Sequence, residues 1–147
     1  MNLPTNILVP VDFSEFSEHA LDYAVALAAK LEAKVHLLHA VEIPVLGVPE
    51  VVTAWAAVTM DSVINEHQNA LDKLADPRRK LARIGEVMLR TGDARDLIIH
   101  ACEEVNADLI VMDTHGRRGL RRTFLGSVAE SVVRSAPCPV LTIRNHK

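Results

Sequence analysis

Cysteine is scarce in this chain, with only Cys102 and Cys138 among 147 residues. Two isolated cysteines, one in an expected helix and one between two prolines, do not make a disulfide framework. They point instead to a reduced, cytoplasmic setting. No cysteine–histidine spacing has the pattern of a zinc site. Long apolar runs are also missing, since none reaches the roughly 18 residues that a membrane helix needs. The opening residues MNLPTNILVPVDFS contain no basic region followed by an apolar stretch, so no secretory signal is expected. A net charge of −3 exerts no general pull towards nucleic acid or membrane. Low-complexity and linker-like stretches are absent, and one domain over residues 1–147 is expected, large enough for a substantial core. Signs of rapid catalysis are lacking too. There is no G-x-x-x-x-G-K-[ST] loop, no arranged nucleophile–base pair and no paired carboxylates with reaction geometry.

What the chain does have is alternation. Short β-rich apolar runs at 7–11, 35–41, 85–89, 109–112 and 140–143 read as five strands. Ala20, Leu21, Ala24, Val25, Ala28 and Leu31 recur at helical spacing, predicting a helix over 17–31 behind the turn Asp12-Phe13-Ser14. A long helix is expected over 54–74, with Asp76-Pro77 marking a break near its end. Asp93 is the expected N-cap of a third helix that stops at Asn106. A fourth begins at Ser127, where Ser127 and Glu130 form a capping box. Strands alternating with helices imply right-handed βαβ units on a parallel sheet, with helices on both faces. His36 and His39, three apart on a strand, fall on opposite faces and make no shared metal site.

Chemistry concentrates between residues 109 and 143. A buried strand runs into a loop rich in glycine and arginine, and Gly126-Ser127 then opens a helix. Glycine lets the backbone approach a ligand closely, and the unpaired N–H groups of a first helical turn point at it. Such a place binds anions, phosphate above all. Arg117, Arg118, Arg121 and Arg122 crowd this loop, either solvated or in contact with phosphate through their paired donors. His115 reads as a structural or ligand-side residue before it reads as a base. Asp12 follows the first strand, near the point where ligands of parallel sheets bind.

The stretches ILVPVDFS (from Ile7), VHLLHAVE (from Val35), Thr91-Gly92-Asp93 and THGRRGLRRTFLGSVAESVVRSAPCPVLTI together resemble the universal stress protein family. The resemblance implies a Rossmann-like five-stranded parallel sheet of order 3-2-1-4-5. It also implies a homodimer paired through the last strand, Val140–Ile143, and a role in stress response with a further protein partner not named by the sequence. In the branch of that family that binds ATP, the signature is Gly-x-x-Gly, nine residues, Gly-Ser/Thr. Gly116, Gly126 and Ser127 match it, while Asp113 stands at the first glycine position. Carried over, Pro10, Val11 and Asp12 would flank adenine or ribose, and Ala40 and Met112 would pack on the base. His115, Gly116, Arg117, Gly126, Ser127 and Val128 would face the phosphates, accompanied by Mg²⁺ or another divalent cation. A carboxylate at Asp113 about 5 Å from a phosphate charge is repelled by roughly 3 kcal/mol at an effective dielectric near 20. Facing the ribose, it would instead accept hydroxyl hydrogen bonds. The resemblance implies binding with at most slow ATP hydrolysis. A non-nucleotide dimeric module and an adenine-nucleotide hydrolase of related fold are the alternatives.

Overall fold

Ile7, Leu8 and Val9 are all fully buried, although successive strand residues point to opposite faces. A strand buries both faces only inside a sheet covered on each side. In the computed structural model, which describes residues 2–42, 53–115 and 125–144, β1 (Asn6–Pro10) lies at the centre of such a sheet. Its other strands are β2 (Lys34–Val41), β3 (Arg83–Thr91), β4 (Leu109–Asp113) and β5 (Val140–Ile143). All pair in parallel in the order β3-β2-β1-β4-β5, as expected.

Side-chain parity sorts the core into two layers. Ile7, Val9, Val35, Leu37 and Val111 pack under α1 (Glu15–Leu31) and α2 (Thr53–Arg78). Leu8, Leu38, Met88, Ile110 and Met112 pack under α3 (Ala94–Glu104) and α4 (Ser127–Ser135). Each large aliphatic side chain taken fully out of water contributes about 1.5–3 kcal/mol. At the sheet edge away from the strand C-termini, Asp108 ties β1 to β4. Its carboxylate accepts the Thr5 N–H and hydroxyl and the Asn6 N–H at 2.8–3.0 Å. Burial pushes this carboxyl up, but the donors of Thr5 and Asn6 outweigh it and hold it below the usual range.

Helix ends follow local chemistry. Ser14 caps α1, its hydroxyl accepting the Ser17 N–H, and Glu32 closes the helix in the left-handed region (φ 57°). Asp93 caps α3 as expected, and Asn106 lies just beyond its end at φ 50°. Two expectations are corrected. α2 does not break at Asp76-Pro77 but continues to Arg78. Proline is tolerable there because only the last turn is affected, and Arg78 ties that turn down. The Arg78 guanidinium donates to the Leu74 carbonyl (2.7 Å) and to Asp22 on α1 (2.8 Å). At α4 the N-cap is Gly126, with no side-chain cap, so Ser127 and Glu130 form no capping box. The reason is positional. The Gly126 N–H bonds the Thr114 carbonyl at 2.7 Å, which makes Ser127 the first helical residue and leaves its side chain exposed. Glu130 pairs along the helix with Arg134 instead.

One irregularity interrupts the β2–β3 ladder. Val35 faces Ile84 but Leu37 faces Val87, so β3 carries one extra residue at Gly85-Glu86. His36 fills this bulge. Its Nδ1 accepts the Glu86 N–H (3.0 Å), so the ring proton sits on Nε2, which donates to Asn6 Oδ1 (3.2 Å).

Candidate functional site

The C-terminal ends of the two central strands deliver the expected site residues to one edge of the sheet. β1 ends at Pro10 and β4 at Asp113. Ile7 and Leu8 pair with Leu109 and Ile110, so two residues further along each strand Pro10 lies level with Met112. On the other side of β1 Pro10 faces Leu38, and Ala40, half-buried near the end of β2, lies two residues further along. These are the ends at which β1 separates chains leaving for opposite faces of the sheet, where parallel α/β sheets open a crevice.

Beyond β1 the chain turns sharply. The Val11 amide donates to the Leu38 carbonyl (2.8 Å), and Phe13 takes a left-handed φ of 64°. Asp12 organises this turn. Its Oδ1 accepts the Ser14 N–H (3.0 Å) and hydroxyl, and its own N–H donates to Ser17 Oγ (3.2 Å). The acidic residue is thus built into the start of α1 while staying at the crevice edge.

Beyond β4 the second half of the site forms. Met112, Asp113 and Thr114 are all buried. The Asp113 carboxylate turns back on its own loop, Oδ2 accepting the His115 N–H at 3.0 Å. Asp113 is the last strand residue and is not among the described residues with positive φ, so no glycine-like backbone is demanded of it. His115 stacks on Phe16 of α1 with ring centroids 5.0 Å apart, and its Nδ1 meets the Thr114 hydroxyl at 3.0 Å. The bond from Gly126 to the Thr114 carbonyl then draws the start of α4 against the end of β4. Close approach is why glycine sits there. A Cβ on Gly126 would lie 3.3 Å from the Thr114 carbonyl oxygen and 3.5 Å from that of His115. The first helical bond of α4 runs from the Glu130 N–H to the Gly126 carbonyl (2.9 Å). The N–H groups of Ser127, Val128 and Ala129 therefore precede the helical ladder, and the N-cap residue Gly126 has no side chain to cap them. Gly116, Arg117 and the other loop arginines lie outside the described residues.

Three further residues adjoin the site without having been singled out for it. His39, buried on β2, donates from Nδ1 to the Val11 carbonyl (2.7 Å). His67 of α2 meets its Nε2 through Nδ1 at 3.0 Å. The Phe13 ring lies 4.2 Å from that of His39. Because a carbonyl only accepts, the His39 proton is on Nδ1 and His67 is the donor to Nε2. This chain of bonds fixes the backbone under the β1 turn. Helical spacing brings His67 onto the inward face of α2 with Leu71 and Leu74, a face readable from sequence, but no sequence signal pairs it with His39. His36 and His39 do fall on opposite faces, as expected. Among the described residues no three or more His, Cys, Asp or Glu side chains gather into a metal site.

A parallel sheet covered on both faces, with a glycine-opened helix start beside its switch point, defines a class of small Rossmann-like α/β proteins. Within that class the chain belongs to the universal stress protein family, whose family model matches residues 4–144. A universal stress protein of Methanocaldococcus jannaschii is 35% identical, over 99% of this chain and 85% of its own length. Universal stress protein UspA from Lactobacillus plantarum superposes with a TM-score of 0.83 at 26% identity, covering 95% of this chain and 97% of that one. A universal stress protein from Archaeoglobus fulgidus, solved in complex with dAMP, superposes with a TM-score of 0.68 at 26% identity, covering 95% and 98%. No helix among the described residues is long and apolar enough to cross a membrane.

Proposed function

We propose that this chain is an adenine-nucleotide-binding stress-response protein acting as a homodimer, with ATP as the nucleotide. The observation that carries this reading is the Gly126–Thr114 hydrogen bond. It holds the first turn of α4, whose N-cap residue offers no side-chain cap, against the C-terminal end of β4, the strand beside β1. Phosphates would sit on the N–H groups of Ser127 and Val128, with the Ser127 hydroxyl and His115 beside them. By the family signature, Gly116 and Arg117 would join Gly126 on this side of the site. The base would lie along Pro10, Val11, Ala40 and Met112, and Asp12 would reach the ribose or adenine. Val11 serves as wall and not as hydrogen-bond partner, because its amide and carbonyl are already bonded to Leu38 and His39. The dAMP complex of the Archaeoglobus relative supports adenine as the base.

The donor set does not favour a protein-held metal. Asp12 and Asp113 each accept hydrogen bonds from their own turns, and no metal-ligand cluster surrounds them among the described residues. A divalent cation would therefore be carried in on the phosphates, as Mg²⁺ commonly is. The two carboxylates would act as outer neighbours.

Calorimetric titration with ATP, ADP and AMP, with and without magnesium, tests the reading. Saturable binding is expected, and its absence for all three identifies a non-binding member of the family. Asp113→Gly distinguishes the two roles of that carboxylate. Because Asp113 holds the His115 N–H, the glycine variant is expected to bind ATP, ADP and AMP all about 10-fold more weakly. Tighter ATP binding with reduced magnesium dependence would show instead that the carboxylate opposes the phosphates.

Assembly through β5 rests on its position. Val140–Ile143 is an edge strand, half-buried in the single chain, and an open edge invites strand addition. Light scattering at tens of micromolar is expected to give a dimeric mass, with pairing lost on Leu141→Pro. A monomeric mass for the parent overturns this part of the proposal.

A further inference from the structure

The two cysteines, far apart in sequence, meet in the fold. Cys102 lies buried on α3 and Cys138 half-buried on the segment between α4 and β5, with their sulfurs 3.3 Å apart. Both belong to the apolar layer beneath α3 and α4. Their backbones are held on each side of the contact. The Cys102 carbonyl accepts the Ala107 N–H at 2.8 Å, and the Pro139 carbonyl, next to Cys138, accepts the Ile110 N–H at 3.0 Å. The remaining gap to a covalent S–S bond is on the order of 1 Å.

We propose that Cys102 and Cys138 are an oxidative modification site, which closes to a reversible intrachain disulfide when a low-molecular-weight disulfide is the oxidant. Cys138 is the more exposed residue of the two and attacks first. Its thiolate bonds to one sulfur of the oxidant R–S–S–R and expels R–S⁻, which takes up a proton. The Cys102 thiol then gives up its proton, and its sulfur bonds to Cys138 Sγ and expels the second R–S⁻. Two cysteine thiols are thereby oxidised by two electrons, and one oxidant disulfide is reduced to two thiols. Burial pushes the Cys102 thiol up to about 12 and also raises that of Cys138. Thiolate is therefore sparse near neutrality, and closure is slow there and faster in alkali. The covalent ring encloses β4, the β4–α4 turn and α4, that is, the whole second half of the candidate site. Its formation does not depend on whether that site binds nucleotide.

The test is incubation of the full chain with excess oxidised glutathione at mildly alkaline pH, followed by thiol titration and intact mass measurement. The expected product has no free thiols, has lost the mass of two hydrogens and retains no glutathione. Its unfolding midpoint rises by about 10 °C and returns on treatment with dithiothreitol. Cys102→Ala should trap one glutathione on Cys138, whereas Cys138→Ser should leave Cys102 unmodified in the folded protein. A parent protein that keeps both thiols, accumulates stable glutathione adducts or cross-links between chains overturns the proposal, and this readout requires no variant to fold.

Discussion

Gly126→Val is expected to reduce adenine-nucleotide affinity at least about 100-fold, roughly 3 kcal/mol, while the protein remains folded. The effect comes from backbone crowding on two sides. A Cβ at this position meets the Thr114 carbonyl at 3.3 Å, so the start of α4 must move away from the end of β4. The movement stretches the Gly126–Thr114 hydrogen bond and shifts the first-turn N–H groups assigned to phosphate. The branched side chain also occupies the approach to those groups. Gly126 lies outside the two apolar clusters of the core, so a cooperative melt should survive. Unchanged calorimetric affinity in a folded Gly126→Val variant would remove the phosphate site from α4. Ser127→Ala is the milder companion. Because Ser127 is not the cap, stability should scarcely change, and loss of its hydroxyl should weaken binding about 5-fold.

The largest stability effect is expected from Gly85→Ala, which adds one methyl group to the β3 bulge. A Cβ there would lie 2.5 Å from His36 Cε1 and 2.7 Å from its Nδ1. The His36 ring cannot withdraw without giving up its bonds to the Glu86 N–H and Asn6. A loss of about 3 kcal/mol is expected, or roughly 10 °C in the unfolding midpoint. In a His36→Ala background the same glycine change should cost little, so the pair should be strongly non-additive. Additive losses in thermal melts would show that the ring is not the obstacle.

The same histidine makes the fold acid-sensitive in a defined direction. Burial lowers its pKa below 6.5, against a smaller opposing effect of Glu86 and with Lys34 adding to the lowering. The unfolded chain therefore binds this proton more readily than the folded one. His36 favours the fold fully above about pH 6.5, and its contribution falls as pH drops below that value until the folded-state pKa is passed. His36→Ala should flatten that part of the stability–pH curve relative to the parent.

How much was legible beforehand differs between the sheet and the site. Strand runs such as Ile7-Leu8-Val9 and Leu109-Ile110-Val111 announce burial on both faces through composition alone. Their alternation with helical periods suffices for a parallel sheet, and the resemblance supplied its order. Helix ends with local causes were also readable, the start at Asp93 and the stop at Asn106. Features resting on distant partners were not. The continuation of α2 through Pro77 needs Asp22 from another helix to hold Arg78. The supposed cap at Ser127 shifts to Gly126 because of the Thr114 carbonyl just beyond β4. Asp113 accepts an N–H only two residues away, a contact that depends on the turn the chain takes there.

The sequence by itself determined the element order, the family and the residue types that converge at the strand ends, because periodicity and local turn chemistry are written in neighbouring residues. Tertiary structure alone decided the His39–His67 support beneath Val11, the His36 plug in the β3 bulge and the meeting of Cys102 with Cys138. Each joins residues separated by 28 positions or more in the chain. Such pairings depend on strand register and helix rotation, which are set only when the two apolar layers pack against the sheet.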